Sequence, residues 1–384
     1  MTEIPTGPGH RGPKLHVSNG TRARGRAIVA GAGIVGLSTA LSLRRAGFEV
    51  AVREREPQIR QTGAGLGVWQ HTITELERIG LGPRLSEIKA EQSFQRFRDP
   101  SGAVLDVGDM PPGRVMHRRQ LSALLVSAVG EENIRTGKEV VDYTEDEAGI
   151  TVHYADGDQE RADLLVGADG LNSRVRRRLV PGSESHYDEE GHHVWRAILQ
   201  FDGDIGDGYP TIGYHRTRGT VTRLADGSCF WVLAQFGVTG GFTGSPRQEA
   251  LARVENLHDG PSRFVLREVV LATPEDSVLD NRVAVVPEIP RWKSNRIVLA
   301  GDAAHAMSPH IGSGASLGIE DARVLGDRLS QADIAPALDS YQTDRIARYR
   351  QVRQHAKAMA AAPTPVSYVE RFSRYLNWLN NTAA

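Results

Sequence analysis

Six residues near the amino terminus, Gly31-Ala32-Gly33-Ile34-Val35-Gly36, have the types and spacing that hold a pyrophosphate against a backbone. The three glycines answer separate demands. Gly31 allows a tight turn, Gly33 lets the chain approach the phosphates, and Gly36 lets a helix pack on a strand. The N–H groups and positive dipole end of that helix face the anion. Glu54, 18 residues past Gly36, stands where a carboxylate accepts hydrogen bonds from an adenosine ribose. Arg55 follows it and is counted with the cofactor-binding residues. The chemistry is dinucleotide binding. The motif leaves NAD and FAD both open, and a Gly-rich turn in an ordinary α/β fold is its bland alternative.

The elements that must position these residues are legible around them. Residues 27–30 form a short apolar strand. Leu37, Ala40, Leu41 and Leu43 recur at helical spacing up to Gly47, and residues 48–52 form a second strand, which completes a βαβ opening. Residues 73–79 and 121–129 predict helices, the second closed by Gly130. Residues 163–168 and 296–300 predict buried parallel strands. Residues 191–238 alternate and carry turns at Asp202-Gly203 and Asp226-Gly227, which predicts an antiparallel sheet. From Leu317 the chain reads as helical to about Ala361. The layout is an α/β domain in several sequence pieces with an antiparallel layer inserted near 190–280.

Composition narrows the function. The chain has 384 residues with a formal net charge of -1, so no basic field exists for gripping nucleic acid. Its single cysteine, Cys229, rules out an internal disulfide and a cysteine metal cage, and fits a reducing cytoplasm. No run of 18 apolar residues is present, so no membrane-spanning helix is expected. Residues 1–25, rich in Gly, Pro, Thr and Arg, read as a disordered extension. His71 and the pair His192-His193 lack further ligands at metal spacing and read as solvated or core histidines, with no metal.

Two later segments extend the first motif. One is Asp163-Leu-Leu-Val-Gly-Ala-Asp169-Gly170, followed by Asn172, Ser173 and Arg174. The other runs Gly301-Asp302-Ala-Ala-His305 through Pro309, Gly312-Ser313-Gly314-Ala315 and Ser316 to Glu320-Asp321-Ala322. With these three ordered motifs the sequence, over about residues 26–350, resembles the group A FAD-dependent monooxygenases, the para-hydroxybenzoate hydroxylase-like aromatic hydroxylases. It resembles the shorter members, such as the salicylate, 6-hydroxynicotinate and urate hydroxylases. The resemblance implies a Rossmann-like FAD-binding domain with an inserted antiparallel β-sheet substrate domain and C-terminal helices. FAD binding is then expected over 26–88, 110–186 and 280–345, substrate binding over 89–109 and 187–279, and a helical segment over 346–384.

The same resemblance assigns roles. Asp302 would accept a ribityl hydroxyl, with Gly301 bending the strand end towards it. Pro309, Gly312, Ser313, Gly314 and Ala315 would run along the isoalloxazine. The following helix would turn its backbone N–H groups to flavin N1 and the C2 carbonyl. The family often has Gln and Asn where this chain has Ser313 and Ser316. Asp169-Gly170 would lie by both FAD and the nicotinamide cofactor, its carboxylate locking Arg or backbone groups. Arg118 would reach FAD, and Val140 would meet the adenine through its backbone. The Gly63–Gly67 segment reads as a loop close to the flavin. Arg196, in Trp195-Arg196-Ala197-Ile198, together with Tyr214, Arg218 and Arg223, are candidate anchors for an acidic or phenolic substrate. A solvated sheet face is the plainer reading of each, and residues 237–246 read as a flexible loop.

The implied reaction consumes NADH or NADPH and O2 and hydroxylates a small aromatic or enolic molecule through a C4a-hydroperoxyflavin. No catalytic base is identified. The implied protein is a cytoplasmic monomer or homodimer. Two other readings share the residues: an FAD-linked reductase or dehydrogenase without oxygen transfer, and a nucleotide-binding module without catalysis.

Overall fold

The structure, a computed structural model, describes residues 24–59, 65–85, 91–94, 96–105, 108, 110–111, 113–238, 241–258 and 265–382. The apolar run Arg26–Ala30 is the middle strand of a five-stranded parallel sheet. From one edge the order is Ile297–Leu299, Leu164–Gly167, Arg26–Ala30, Glu49–Arg53 and Ile134–Arg135. Apart from the edge strand Ile134–Arg135 and the first residues Arg26 and Glu49, its strands are buried, as the continuous Val, Ile, Leu and Ala composition requires. The helix Ile34–Arg45 follows the first strand and packs along the helix Gly314–Gln331. A Cβ on Gly318 would meet Val35 Cγ2 at 2.3 Å, and one on Gly326 would meet Ser42 Cβ at 2.8 Å. Val35 with Gly318 and Ser42 with Gly326 mean that the two helices run parallel, so both amino-terminal ends open on the same side.

A seven-stranded, largely antiparallel sheet forms the second layer. Its order is Leu279–Arg282, His193–Leu199, Cys229–Gln235, Thr217–Arg223, Thr211–Ile212, Phe97–Arg98 and Val104–Leu105. One face carries Trp195, Ala197, Trp231, Leu233 and Val221 into a core shared with the helices Pro246–Val254 and Val265–Ala272. The register aligns Arg196 with Val232 and Leu279, and Arg218 with Ala234. Side chains alternate along a strand, so Arg196, Arg218, Ile198, Val232 and Phe230 share the opposite face. That face meets the dinucleotide side of the molecule: Phe230 lies against Val115, and a Cβ on Gly65 would collide with its ring.

The structure amends several expectations. The disordered extension was expected over 1–25, and residues 1–23 lie outside the described residues. Arg24 is placed, donating to the carbonyls of Ser330 and Ala332. Gly65–Trp69, expected as a loop, is a strand paired with Gly113–His117, because five consecutive residues find ladder partners there; Gly63 and Ala64 lie outside the described residues. The helix expected over 73–79 begins earlier, at Gln70, and passes at Glu77 into a π-turn that ends around Gly80, whose φ of 99° suits glycine alone. The loop expected over 237–246 ends at Ser245, which accepts from Gln248 N and caps a helix with proline in its first turn. A boundary at 345 falls inside one continuous helix, Ile334–Ala360, whose buried face runs on through Arg345, Arg348, Tyr349 and Val352.

Candidate active site

The carboxyl ends of the parallel strands carry the three motifs. Arg26–Ala30 leads into Gly31, Leu164–Gly167 into Asp169-Gly170, and Ile297–Leu299 into Gly301-Asp302. This end of a parallel sheet is where open α/β folds bind ligands. Gly31 adopts φ 103°, and a Cβ there would meet the Ala168 carbonyl at 2.5 Å. A Cβ on Gly36 would meet the Gly31 carbonyl at 2.0 Å, whereas one on Gly33 would meet nothing within 4 Å. Gly31 and Gly36 therefore close the turn, and Gly33 keeps its open side clear. The helix starting at Ile34 has no side-chain cap, so its first N–H groups are available to an anion.

A groove of about 450 Å³ continues from this turn and is lined by Gly31–Ile34, Arg53–Glu56, Arg118, Ser122, Lys138–Val140, Ala168–Gly170, Asn172, Arg174, Arg196, Leu279 and Asn281. Glu54 is locked at its mouth by accepting from Ala32 N at 2.7 Å and Glu56 N at 3.0 Å, which leaves further lone pairs for ribose hydroxyls. Arg55 pairs with Glu56 at 3.3 Å. Arg118 opens the helix Arg118–Val129 and reaches the groove without a hydrogen-bond or ion-pair partner among the described residues. Val140 starts the strand Val140–Asp146 at the same wall.

Asp169 does not reach out for a ligand with both oxygens. One oxygen accepts from Arg174 N at 2.8 Å and Val175 N at 3.3 Å, which caps the short helix Arg174–Leu179 beside Ser173. The other is buried without a partner. Burial raises the Asp169 carboxyl above its usual value against these hydrogen bonds. Gly170 follows with φ 78°.

The turn over residues 309–315 lies at the second helix start. Pro309–Ile311 form a short helical turn, and Gly312 adopts φ 61°. Trp69 Nε1 donates to the Gly312 carbonyl at 3.2 Å, and Ser316 Oγ is 2.5 Å from Thr72 Oγ1. Ser313 turns its hydroxyl onto the Ile311 carbonyl at 3.0 Å. The helix Gly314–Gln331 consequently has no side-chain cap either. The N–H groups around Gly314 and Ala315 are left facing the same side as those around Ile34. Asp302 is exposed beside this turn, and it has no hydrogen-bond or ion-pair partner among the described residues.

Beneath the two turns lies a buried charge cluster. Asp321 accepts from Gly301 N at 2.8 Å, sits 2.6 Å from His305 Nε2, and accepts from Arg345 Nε at 2.6 Å. Glu320 accepts from Arg345 Nη1 at 2.6 Å and lies 3.0 Å from His71 Nε2 and 3.1 Å from Arg348 Nε. Burial alone would raise both carboxyls. For Glu320 the charge of Arg345, with His71 and Arg348, outweighs burial; for Asp321, His305 and Arg345 do so. Both carboxyls end below their usual range. His71 is thus a core histidine paired with a carboxylate. His192 packs on Phe236 and meets Ser308 Oγ at 2.5 Å, and His193 pairs with Asp280. No group of three or more metal-ligating side chains occurs among the described residues.

The substrate-anchor candidates separate. Arg196 enters the groove. Arg218 shares its sheet face but lies under the C-terminal helix Pro365–Asn381. There its guanidinium stacks between Phe236 and Tyr368, 5.0 and 4.7 Å from the ring centres, and donates to the Tyr368 hydroxyl. Arg223 falls on the other side of its strand, away from the groove. It donates to the carbonyls of Phe201 at 3.0 Å, Gly227 at 2.9 Å and Gly203 at 2.8 Å, tying two turns together. Tyr214 is likewise not in the groove: it is half exposed on a turn where His215 and Arg216 adopt positive φ. An Arg223→Ala variant is expected to lose about 1–2 kcal/mol of stability while its substrate KM stays within twofold of about the parent value. A denaturant titration paired with steady-state kinetics checks this.

Trp69, Thr72, Arg345 and Tyr368 are the residues that sequence reasoning missed. The one available signal was Arg345 and Arg348, spaced one helical turn apart in an apolar stripe.

Together these features fit FAD: two parallel, uncapped helix starts that open on one side, an open Gly33, a Glu54 with lone pairs to spare, and an Asp302 without a hydrogen-bond or ion-pair partner among the described residues. The comparisons agree. The FAD binding domain family matches residues 25–201 and 262–356. The chain is 29% identical to the aurachin C monooxygenase/isomerase of Stigmatella aurantiaca, over 84% of this chain and 85% of that protein. It is 29% identical to the 6-hydroxynicotinate 3-monooxygenase of Bordetella bronchiseptica, over 86% and 90%. Klebsiella pneumoniae HpxO, solved with FAD and uric acid, superposes with a TM-score of 0.79 at 23% identity, over 93% of this chain and 96% of that one, which speaks to the fold. Among the described residues no helix is long and apolar enough to cross a membrane. The chain belongs to the FAD binding domain family and is an FAD-dependent oxidoreductase of the monooxygenase type.

Proposed function

We propose that this protein uses NADH or NADPH and O2 to hydroxylate a small aromatic or enolic molecule. The observation that carries the reading is the pair of uncapped, parallel helix starts with Asp302 beside the second one. A simple nucleotide binder needs only the first. Bound FAD supplies a store for two electrons and the place where O2 is activated for transfer of one oxygen atom.

The chain's own residues hold, orient and dry the site. The N–H groups at Ile34 and Arg118 neutralise the pyrophosphate, Glu54 takes the adenosine ribose, and Asp302 takes a ribityl hydroxyl. The N–H groups around Gly314 and Ala315 stabilise negative charge on the ring edge as it accumulates. Ile198, Val232 and Phe230 present an apolar wall that excludes water from the reacting face. Arg218, braced by Tyr368 and Phe236, offers a planar fork to a phenolate, enolate or carboxylate oxygen of the substrate. Residues 26–88, 110–186 and 280–345 serve the cofactor on this reading, and 89–109 with 187–279 serve the substrate.

The test is direct. The purified protein is expected to carry FAD, to be bleached anaerobically by NADH or NADPH, and to consume one O2 per hydroxylated product with its aromatic substrate. Rapid NAD(P)H oxidation that yields only H2O2 with every phenol and N-heterocycle in a panel would remove oxygen transfer from the proposal. A folded, colourless protein that refuses added FAD would remove the flavin as well.

A further inference from the structure

The cations that line the groove are paired with carboxylates, with two exceptions. Arg53 pairs with Glu160 at 2.6 Å, Arg55 with Glu56 at 3.3 Å, Arg174 with Glu139 at 2.7 Å, and Lys138 with Asp156 and Asp158. Glu54 and one oxygen of Asp169 accept from backbone N–H groups. Arg118 and Arg196 alone among these lining residues have neither a carboxylate nor a hydrogen-bond acceptor among the described residues. Both line the same groove, where burial first, then the positive charge of Arg118, hold the Arg196 guanidinium below its usual value. With Arg118 turned to the FAD pyrophosphate, Arg196 is the groove cation still left to meet an anion.

We propose that Arg196, with Arg118 shared from the cofactor side, is the docking point for the diphosphate of the reduced nicotinamide dinucleotide. The proposal rests on FAD occupying the groove as described above. The pyrophosphate of FAD is provided for at the Gly33 turn, within the first βαβ unit. Arg196 comes from the other layer, on the strand His193–Leu199, where it pairs with Leu279 of the edge strand. That edge strand, Leu279–Arg282, is exposed along its length. A hydride donor must enter and leave in every turnover, so it needs an approach of this kind.

Arg218 has the opposite setting. It lies on the same sheet face, two strands from Arg196, because Arg196 pairs with Val232, which pairs with Thr220. There it is closed in by Tyr368 and Phe236. One face thus carries two arginines with separate tasks: one stacked between aromatic rings for the molecule to be oxidised, and one in the groove beside an exposed edge strand for the reductant. Among the described residues the single all-parallel sheet carries one glycine-rich dinucleotide turn, so the reductant has no fold of its own and must use what the groove leaves free.

The experiment uses the FAD-loaded protein and its Arg196→Gln and Arg196→Lys variants. ADP-ribose, which carries the diphosphate but cannot donate hydride, is titrated by calorimetry. NADH and NADPH are titrated through the concentration dependence of anaerobic flavin bleaching, and FAD affinity is read from flavin fluorescence. R196Q is expected to weaken ADP-ribose and the preferred reductant by about 10-fold or more, while FAD affinity moves by less than about threefold and R196K recovers part of the loss. Unchanged ADP-ribose binding in an R196Q variant that still holds FAD overturns the proposal alone. Equal losses for FAD and ADP-ribose overturn it too and assign Arg196 to the resident cofactor. A loss confined to the aromatic substrate overturns it in favour of a substrate anchor. A wild-type chain that takes up no FAD overturns the functional reading first, and this outcome is distinct from the other three.

Discussion

An Arg345→Met substitution is expected to destabilise the protein by about 3–5 kcal/mol and to strip it of FAD, because it leaves two buried carboxylates without their shared cation. Arg345 spans Glu320 and Asp321 with bonds of 2.6 Å to each, and all three side chains are buried. Asp321 in turn holds Gly301 N, the residue that aims Asp302. The damage therefore passes from the charge cluster to the cofactor turn through a single backbone hydrogen bond. The sign of the pH dependence follows from the depressed carboxyls. A group whose folded pKa lies below its unfolded one contributes stability that is present above the unfolded value and is lost as pH falls towards the folded one. The ordinary values here are 4.5 for Glu320 and 3.8 for Asp321. The wild type should therefore stand furthest above the variant at neutral pH, and the gap should narrow below about pH 4. Urea titrations of both proteins from neutral to acid pH measure it. A gap that widens in acid would show that the cluster is not held ionised by Arg345.

The second large effect separates binding from folding. Asp302→Ala is expected to weaken FAD on the order of 10- to 100-fold, the worth of charge-assisted hydrogen bonds to ribityl hydroxyls. The apoprotein should keep its melting behaviour, with a stability change within about 0.5 kcal/mol. The reason is that Asp302 is exposed and makes no bond within the protein among the described residues. On the proposed reading this carboxylate, set at a strand end by a glycine at φ 59°, takes its partner from the bound cofactor. Flavin fluorescence titration of apoprotein, paired with thermal unfolding without FAD, makes the comparison. Wild-type FAD affinity in D302A would detach the 301–302 turn from the cofactor. A large loss of apoprotein stability would give Asp302 a structural role instead.

Much of this was legible because the relevant physics is local. The tight turn at Gly31, the helix after it and the acidic residue after the next strand all lie within one βαβ unit, and their spacing alone states the task. The Gly301-Asp302 turn and the helix start at Gly314 are local in the same way. The helix after Ser245 is equally available: serine, proline and a glutamine three positions on are a helix start, and they outweigh the loop expected over 237–246. Alternation also tells from the sequence that Arg218 and Arg223 point to opposite faces of one strand.

What alternation cannot say is which face meets the cofactor. That was decided when two helices from residues 246–272 packed onto Trp195, Trp231 and Leu233, leaving Arg196 and Arg218 on the side of the dinucleotide turn and sending Arg223 to the backbone of two loops. The meeting of Arg118 and Arg196 in one groove, the clamp of Arg345 on Glu320 and Asp321, and the parallel alignment of two helix starts far apart in sequence are of the same kind. Turns, caps and strand alternation depend on neighbours in the chain, so they are written in its order. Electrostatic pairing and the choice of a buried face depend on neighbours in space, and only the packed tertiary structure brings those together.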